Sequence, residues 1–312
     1  MTTLYSNGLI EQHFHGAFGV DFSTCSVTEL LFLTEEIVKN GVTQIFPTLV
    51  TDSLQNLKKQ INVIKEAKAR QTIHSAKIVG VHLEGPFITK NKKGIHNEEL
   101  IIKPSIDAYK HIEDEIIKIV TISPDEDEEM QLSNYLRSRG VKVSAGHTLS
   151  VDLSLCDQVT HLFNAMGTVD HKKQSTATSA LINDDIFVEL IADSTHVVDD
   201  VLRLSLKIKP DNKILLISDS LPIAHSTLTQ MEFCSETIYK KESIAINQNG
   251  TLAGSVLLLN DIVKNIVHKN IASFDDAIKM ASTNQLNYHN LSNNSRVKWD
   301  ENLNVVDVEF ID

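Results

Sequence analysis

The feature that most constrains this chain is a regular alternation of short apolar runs and helix-like segments. Eight runs have the length and composition of buried strands, and they cover residues 9–16, 44–49, 77–83, 116–124, 141–147, 158–166, 186–196 and 213–220. Strands that alternate with helices form a parallel sheet covered by helices. Eight such units predict a (β/α)8 TIM-like barrel, a fold of about 250 residues, for which the 312 residues of the chain are sufficient.

A doubly wound open sheet would show the same alternation. Such sheets usually carry a glycine-rich phosphate-binding turn after the first strand. Here the first run ends in HFHG, and the sequence has no GxGxxG or Walker motif, so the barrel is favoured. Residues 228–250 are predicted to be a β-rich excursion and TLAGS (251–255) a turn. Helices at 260–270 and 273–290 would close the barrel.

Histidine and carboxylate side chains recur where the apolar runs end. His13 and His15 lie two residues apart in a strand and therefore point to one face, and Glu84 ends the run KIVGVHLEGPF. The fifth, sixth and eighth runs carry three more such residues: His147, His161 and Asp219. The C-terminal strand ends of a barrel carry its active site, and a buried carboxylate there needs a positive partner. This recurrence predicts a metal site.

Imidazole and carboxylate ligands suit Zn, Fe, Co, Mn or Ni and do not select among them. One divalent ion or two could bind, and with two, Glu84 would lie between an ion on His13 and His15 and an ion on His147 and His161. Asp219 is predicted to be both a ligand and the group that moves the proton. A single strand-end histidine is more often structural, but the same event at several strand ends argues against that reading.

Composition excludes several classes of partner. Hydrophobic residues make up 42% of the chain and charged residues 22%, as in ordinary globular proteins. A net charge of −12 disfavours nucleic-acid binding. Three cysteines without a CxxC pair suit a reducing compartment. There is no signal-like start and no apolar stretch of membrane-spanning length, so a soluble cytoplasmic protein with no membrane partner is expected.

Several motifs together resemble a known enzyme family. They are HFHG, HLEGPF, KKGIHN, SAGH, HLFNAM, ADSTH, ISDS and TLAGS. In this order they are similar to the N-acetylglucosamine-6-phosphate deacetylases of the amidohydrolase superfamily, from about Gly8 to Met280. The family hydrolyses the acetamide of N-acetylglucosamine 6-phosphate, giving glucosamine 6-phosphate and acetate. The resemblance implies a metal-dependent hydrolase of a small amino-sugar phosphate.

The resemblance also implies residue roles. Glu84, His147 and His161 match the metal ligands of the family, and Asp219 matches its general acid/base. Some members lack the first histidine pair and hold one metal, whereas this chain has His13 and His15 and resembles the two-metal members. The positions that match substrate contacts are His96 near the acetyl carbonyl, His196 near sugar hydroxyls, Asn164 and Ala165 near the phosphate, and Ile95, Leu252, Ala253, Gly254 and Ser255 along the lining.

The chain departs from the family pattern at three places. DHKKQS puts Lys172 where the family usually has an arginine that reaches the neighbouring subunit's site; this implies a homodimer, and lysine cannot make the bidentate fork to phosphate. ISDS and LAGSVLLLN differ from the usual ISDA and LAGSTLTM. The segment that usually precedes the barrel is short, so we expect a barrel over 1–292 and, in 293–312, a short β remnant of a reduced or absent small β-sandwich.

Two alternative functions remain open at this point. The first keeps the reaction and changes the sugar, to N-acetylgalactosamine 6-phosphate or another N-acetylhexosamine with or without phosphate. The second is a non-catalytic sugar-phosphate sensor. A sensor has no use for a proton-carrying Asp219, so the enzyme is preferred.

Overall fold

The computed structural model describes residues 3–242, 244–293 and 295–311. Ser243 of the predicted excursion, and Asn294 and Asp312 of the predicted remnant, lie outside the described residues. Within the described residues the strands are β1 Leu4–Asn7, β2 Leu9–Phe14, β3 Gly16–Ala17, β4 Val20–Asp21, β5 Val42–Val50, β6 Lys77–Ile78, β7 Val81–Glu84, β8 Ile117–Ile122, β9 Lys142–Ala145, β10 Gln158–Val159, β11 Phe187–Ile191, β12 Ile214–Ile217, β13 Gln230–Phe233, β14 Glu236–Lys241, β15 Ile244–Asn247, β16 Leu252–Ser255, β17 Ser295–Trp299 and β18 Val305–Phe310.

The helices cover the outside of the barrel. In the same described ranges they are α1 Val27–Val38, α2 Leu54–Arg70, α3 Ile106–Ile112, α4 Gln131–Ser138, α5 Thr176–Ile182, α6 Asp199–Ile208, α7 Leu259–His268, α8 Phe274–Ile278 and α9 Asn284–His289. A π-helical turn, Lys279–Thr283, joins α8 to α9. None of the helices in the described part of the chain is both long enough and apolar enough to cross a bilayer.

Eight parallel strands form the barrel, in the order β2, β5, β7, β8, β9, β10, β11 and β12. Between β12 and β2 the ring is completed by backbone hydrogen bonds rather than by a paired ladder. Asp219 N donates to His13 O at 3.0 Å, and His15 N donates to Ser220 O at 2.8 Å. The predicted (β/α)8 fold is confirmed, and the seam where the first and last strands meet runs between two predicted metal-ligand segments.

Local sequence explains how α1 is oriented against the barrel. Ser26 caps its N-terminus in a capping box with Glu29, which satisfies backbone N–H groups that have no partner inside the helix. Leu30, Leu33 and Ile37 lie three and four residues apart and are buried against the sheet. Gly41 follows with a φ of 79°, a conformation that glycine adopts without strain. The chain then enters β5.

Two predicted strands are shorter than the sequence pattern indicated. The third run is broken into β6 and β7 around Gly80, where a Cβ would lie 2.4 Å from Lys118 Cγ; this close approach of backbone to side chain requires glycine. Of the sixth run only Gln158–Val159 is strand, because His161 and Phe163 have φ values of 29° and 79°. Apolar residues that resembled a continuous strand lie in turns.

Two smaller antiparallel sheets accompany the barrel. The predicted excursion is a sheet of β13 to β16, and TLAGS, predicted to be a turn, forms β16 instead. The second sheet has the order β1-β17-β18. The sequence placed the β remnant in 293–312 alone, but the structure adds Leu4–Asn7, which pairs with Ser295–Trp299. Trp299 is fully buried and donates its Nε1–H to Ser6 Oγ at 2.9 Å, which fastens the chain's start to this sheet.

Candidate metal centre and substrate cavity

The six side chains predicted as metal ligands meet at the C-terminal mouth of the barrel. Contacts of 2.9–3.5 Å link them through the carboxylates: His13, His15, Glu84, His147, His161 and Asp219. Three of them follow strands on left-handed backbone, with φ values of 48° at His147, 29° at His161 and 50° at Asp219. Residues other than glycine pay about 1–3 kcal/mol for such a conformation, and it clusters at functional sites.

Glu84 is the centre of the cluster. Its Oε1 lies 2.9 Å from His161 Nε2, 3.1 Å from His147 Nε2 and 3.4 Å from His13 Nε2. Its Oε2 lies 3.2 Å from His15 Nε2. One buried carboxylate therefore faces both histidine pairs, as a ligand shared between two ion positions must.

The Nδ1 atoms of three of the four predicted ligand histidines face hydrogen-bond acceptors, whereas Nδ1 of His161 has no partner among the described residues. His13 Nδ1 donates to Glu189 Oε2 at 2.9 Å, His15 Nδ1 to Thr48 O at 3.3 Å, and His147 Nδ1 to the carbonyl of Lys92 at 2.8 Å. A carboxylate or carbonyl accepts only, so the proton of each neutral ring is on Nδ1 and the Nε2 lone pair faces the centre. Partners of this kind orient histidines that bind metals.

His96 has the opposite arrangement. The backbone N–H of Thr51 donates to His96 Nδ1 at 3.4 Å, and Thr51 Oγ1 lies 2.7 Å from the same nitrogen. With Nδ1 accepting, the proton of the neutral ring is on Nε2, which lies 3.4 Å from Glu84 Oε2 and faces the cavity. His96 thus directs an N–H donor rather than a lone pair toward the cavity, unlike the three histidines above.

The charges of the cluster call for a cation. Burial lowers the pKa of His13, but Glu189, Glu84 and Asp219 outweigh it and raise this pKa well above its ordinary value. Burial also lowers the pKa of His15, but the hydrogen bonds to Asp219 and Glu84 outweigh burial and raise this pKa to about 9. Protons on the first histidine pair therefore balance the carboxylates, and metal binding at such a site displaces protons.

The donor set fits a divalent transition metal. The Nε2 atom of His13 is buried and has no hydrogen-bond partner among the described residues, and the Nε2 atoms of His147 and His161 face each other at 3.1 Å. A divalent ion bound here would give the unpartnered nitrogen of His13 a partner and would separate the two nitrogens that face each other. His13, His15 and Glu84 offer ligand atoms close enough to share one ion. Imidazole with carboxylate is a donor set of Zn, Fe, Co, Mn and Ni sites.

A cavity of about 550 Å³ opens above the cluster. Most residues predicted to contact substrate line it: Ile95, His96, Asn164, Ala165, His196, Leu252, Ala253 and Gly254. His196 Nδ1 donates to Asp193 Oδ2 at 2.6 Å. Burial lowers the pKa of His196, but the hydrogen bond and charge of Asp193 raise it above its ordinary value. A polar and partly cationic wall therefore faces the metal ligands.

Two predicted contact residues lie outside this cavity lining. Lys172 is exposed in the loop before α5, and its backbone N–H donates to Asp170 Oδ1 at 2.8 Å. Ser255 is fully buried at the end of β16, where its N–H donates to Asp219 O at 2.9 Å and its carbonyl accepts from Leu221 N at 2.9 Å. Ser255 thus acts on the backbone that carries Asp219 rather than facing the cavity.

The sequence missed three groups at the site. Lys90, Lys92 and Lys93 line the cavity, and none of the three is among the predicted contact residues. Asp193 accepts a hydrogen bond from His196 Nδ1, a contact that the motif ADSTH does not reveal. Glu189, which contacts His13, was not considered, although a glutamate in the middle of the apolar run IFVELI is itself an unusual signal.

A parallel eight-stranded barrel with histidine and carboxylate side chains at its mouth is the arrangement of the amidohydrolase superfamily, which this chain resembles. Within that superfamily the chain is related to the N-acetylglucosamine-6-phosphate deacetylases, as the sequence motifs predicted. No protein-family model matches the chain.

Individual relatives support this relationship. The N-acetylglucosamine-6-phosphate deacetylase of Bacillus subtilis is 29% identical over 289 residues, covering 89% of this chain and 73% of the relative. The N-acetylgalactosamine-6-phosphate deacetylase of Escherichia coli O157:H7 is 26% identical over 283 residues, covering 88% of this chain and 74% of the relative. The crystal structure of the N-acetylglucosamine-6-phosphate deacetylase of Thermotoga maritima superposes with a TM-score of 0.90 at 27% identity, covering 98% of this chain and 87% of that one.

Proposed function

We propose that the protein is a metal-dependent deacetylase that hydrolyses the acetamide of N-acetylglucosamine 6-phosphate to glucosamine 6-phosphate and acetate. The observation that carries this proposal is the convergence of two histidine pairs on Glu84 beneath a cavity that also holds Asp219. The names of the relatives supply the substrate.

One or two divalent ions would be held at this centre. His13, His15, Glu84 and Asp219 would form the first position, and Glu84, His147 and His161 the second. A bound divalent ion polarises a carbonyl and lowers the pKa of water from 15.7 to about 7. Which metal binds is left open by the donor set.

The surroundings of Asp219 support its proposed role in moving the proton that the reaction transfers. Its Oδ1 lies 3.2 Å from His15 Nε2 and 3.5 Å from His13 Nε2. Burial raises the pKa of Asp219, but the charge of His13 and the hydrogen bond of His15 outweigh it and hold this pKa below its ordinary value. The ionised carboxylate accepts a proton from the attacking water and delivers it to the leaving amine nitrogen, so water is divided between acetate and amine.

The cavity walls would hold and polarise the substrate. His96, with its proton on Nε2, would donate to the acetyl oxygen, where negative charge develops. His196, oriented by Asp193, would bind sugar hydroxyls. The phosphate would meet Asn164, the backbone of Ala165 and the cationic loop that contains Lys92. His96 and His196 are each fixed by a second contact before substrate arrives, and such preorganisation lowers the cost of binding.

A second sugar is favoured by one observation. Relatives named for N-acetylglucosamine 6-phosphate and for N-acetylgalactosamine 6-phosphate differ little in identity to this chain, at 29% and 26%. The two sugars differ in the orientation of one hydroxyl, which His196 and its neighbours would read. A site that hydrogen-bonds a hydroxyl can discriminate strongly against its absence or displacement, so kcat/KM for both sugars should be measured together.

We further propose a cytoplasmic homodimer. Apolar side chains remain exposed on α5 and α6, among them Ile182, Leu204 and Ile208, and the loop of Lys172 leads directly into α5. A second copy packed on this face would cover the apolar surface and carry Lys172 toward its neighbour's cavity. The three cysteines are free thiols, which agrees with a reducing compartment.

The test is acetate release from N-acetylglucosamine 6-phosphate by purified protein whose metal content is measured on the same sample. We expect turnover with one or two ions per subunit. Asp219→Asn should lower kcat by about 10²–10⁴-fold, the usual contribution of general acid–base catalysis, while at least one ion stays bound. A fully metal-loaded protein with no turnover on any N-acetylhexosamine 6-phosphate would contradict the proposal.

A further inference from the structure

Glu189 is a fully buried carboxylate in the interior of the barrel. It lies in the middle of β11, and both it and His13 have no exposed side-chain surface. An ionised carboxylate in such a place is strongly destabilising unless several donors satisfy it. Burial raises the pKa of Glu189, but the charge and hydrogen bond of His13 help to lower it below the ordinary value.

Four hydrogen-bond donors converge on this carboxylate. Gln12 Nε2 donates to Oε1 at 2.6 Å and Gln158 Nε2 to the same oxygen at 2.9 Å. His13 Nδ1 donates to Oε2 at 2.9 Å and the backbone N–H of His161 to the same oxygen at 3.2 Å. Gln12 cannot reverse its amide without loss, because its oxygen would then face Glu189 Oε1, and a carboxylate oxygen only accepts. Both side-chain oxygens of residue 189 must therefore accept hydrogen bonds, and a donor at either position would meet another donor.

We propose that Glu189 is a positioning residue for the first ion position, holding His13 with its proton on Nδ1 and its Nε2 directed at Glu84. This inference rests on the metal centre proposed above. Among the ligand histidines described, His13 has a carboxylate behind it, whereas His15 and His147 have backbone carbonyls. The first position therefore depends on a side chain that a single substitution can remove.

The effect should be confined mainly to the first ion. Glu189 also accepts from the backbone of His161, but that segment keeps other backbone contacts: Leu162 N donates to the main-chain oxygen of Glu189 at 2.9 Å, and Asn164 N to His161 O at 2.9 Å. A change of the side chain at 189 leaves both in place. His13 has no comparable substitute for its Nδ1 contact.

The test uses Glu189→Gln in the full-length protein, titrated with Zn²⁺ or Co²⁺ against a competing chelator. Glutamine brings an N–H₂ group against two converging donors, so we expect the affinity for one of two ions to fall by about 10–100-fold, the range found when partners of metal-binding histidines are removed. ¹⁵N NMR of the histidine rings at saturating Zn²⁺ should show the Nδ1–H signal of His13 shifted in Glu189→Gln relative to the wild type, a change that a merely structural role would not produce.

Two further variants keep the outcome decisive. Thr121→Val removes a hydroxyl from the same buried layer, where Thr121 Oγ1 contacts His82 Nε2 at 2.8 Å and no metal-ligand side chain, and it should keep both ions. Glu189→Asp keeps the charge and the Nδ1–H form and should bind the first ion with intermediate affinity, which supplies the answer if the glutamine variant does not fold.

Three results would overturn the inference. Wild-type first-ion affinity in both Glu189 variants removes the role of Glu189, while the metal centre itself stands. Equal loss of the ion in Thr121→Val assigns the effect to the barrel interior in general. Wild-type protein that binds no ion overturns the proposed function, and the inference with it.

Discussion

The two histidine pairs that face Glu84 contain the same ligand atoms and are built differently. His13 lies on β2, and His15 is the first residue after this strand. His147 and His161, by contrast, follow their strands on left-handed backbone. The pKa of His15 is raised to about 9, but burial, with the charge of His96, lowers the pKa of His147 to about 4.

This difference shows that a shared carboxylate does not make the two positions equivalent. Glu189, Glu84 and Asp219 surround the first pair with negative charge, so an ion there replaces protons. In the second pair the pKa of His147 is lowered instead, and both histidines follow their strands on left-handed backbone. The first position should be the more sensitive to pH, and the second the more sensitive to substitution of its own ligands.

The largest expected effect comes from removing Glu84, the carboxylate that the two ion positions share. Glu84→Ala takes a ligand from both positions at once, and we expect both ions to be lost and acetate release to fall to the background rate. Metal analysis after gel filtration, together with turnover of the same sample, measures this. Retention of one firmly bound ion would show that the halves are independent and that Glu84 is not the bridge.

Removing one histidine from each ion position in turn should separate the contributions of the two positions to catalysis. His147→Ala is expected to lower kcat by more than the roughly 10–100-fold cost of losing an outer partner of a metal site, because the second position would lose one of its two histidines. His13→Ala should empty the first position and leave a slower but active one-metal enzyme. The pair of variants is compared by kcat and by ions bound per subunit. An inactive His13→Ala with one ion still in place would reverse this ranking.

The dependence of metal affinity on pH should differ between the halves. His15 has a raised pKa, so it holds its proton below about pH 9 and an ion must displace it; raising the pH therefore strengthens first-ion binding, by about tenfold per pH unit for each displaced proton. His147, with its pKa lowered to about 4, has no proton to displace near neutral pH. Competition titrations between about pH 6 and about pH 8 should show one ion whose affinity rises with pH and one whose affinity stays constant. Two equal slopes would contradict the distinction.

The smallest effect on metal binding is expected from a side chain whose backbone carbonyl, rather than the side chain itself, orients a metal ligand. Lys92→Ala removes the side chain but leaves the carbonyl that accepts from His147 Nδ1, so metal content should not change. The lost charge in the cavity should raise KM for the phosphorylated sugar by up to about fivefold, since an exposed charge pair contributes about 0.2–1 kcal/mol. The unphosphorylated sugar is the control, and its KM should stay constant. A drop in bound metal would place the Lys92 side chain in the metal centre.

The barrel and its ligands could be predicted from the sequence because both follow from local patterns. Apolar runs mark strands, and the C-terminal ends of parallel strands must meet at one mouth, so Glu84 and Asp219 could be placed together without knowing any distance. The sixth run shows the limit. HLFNAM is apolar enough to be taken for strand, and nothing local reveals that His161 and Phe163 have positive φ.

Contacts across the barrel could not be predicted from local sequence patterns. Glu189 and His13 are 176 residues apart, and their meeting depends on the stagger and inward orientation of β11 and β2. Lys172 was placed by similarity of motif, and the structure leaves it exposed outside its own chain's cavity lining. Residue type predicted what chemistry was available, while only the folded barrel could show which groups face each other.

The seam of the barrel has a consequence for how the protein holds itself together. Ser220 Oγ donates to Gly16 O across 204 residues of intervening chain, and the ligands His13, His15 and Asp219 lie on both sides of this join. An ion bound by ligands on both sides would act as a cross-link between the first and last strands. It would close a loop, and the entropic cost of loop closure grows with the logarithm of the loop's length. The complete site exists only after the whole ring has formed, so metal capture reports on finished folding.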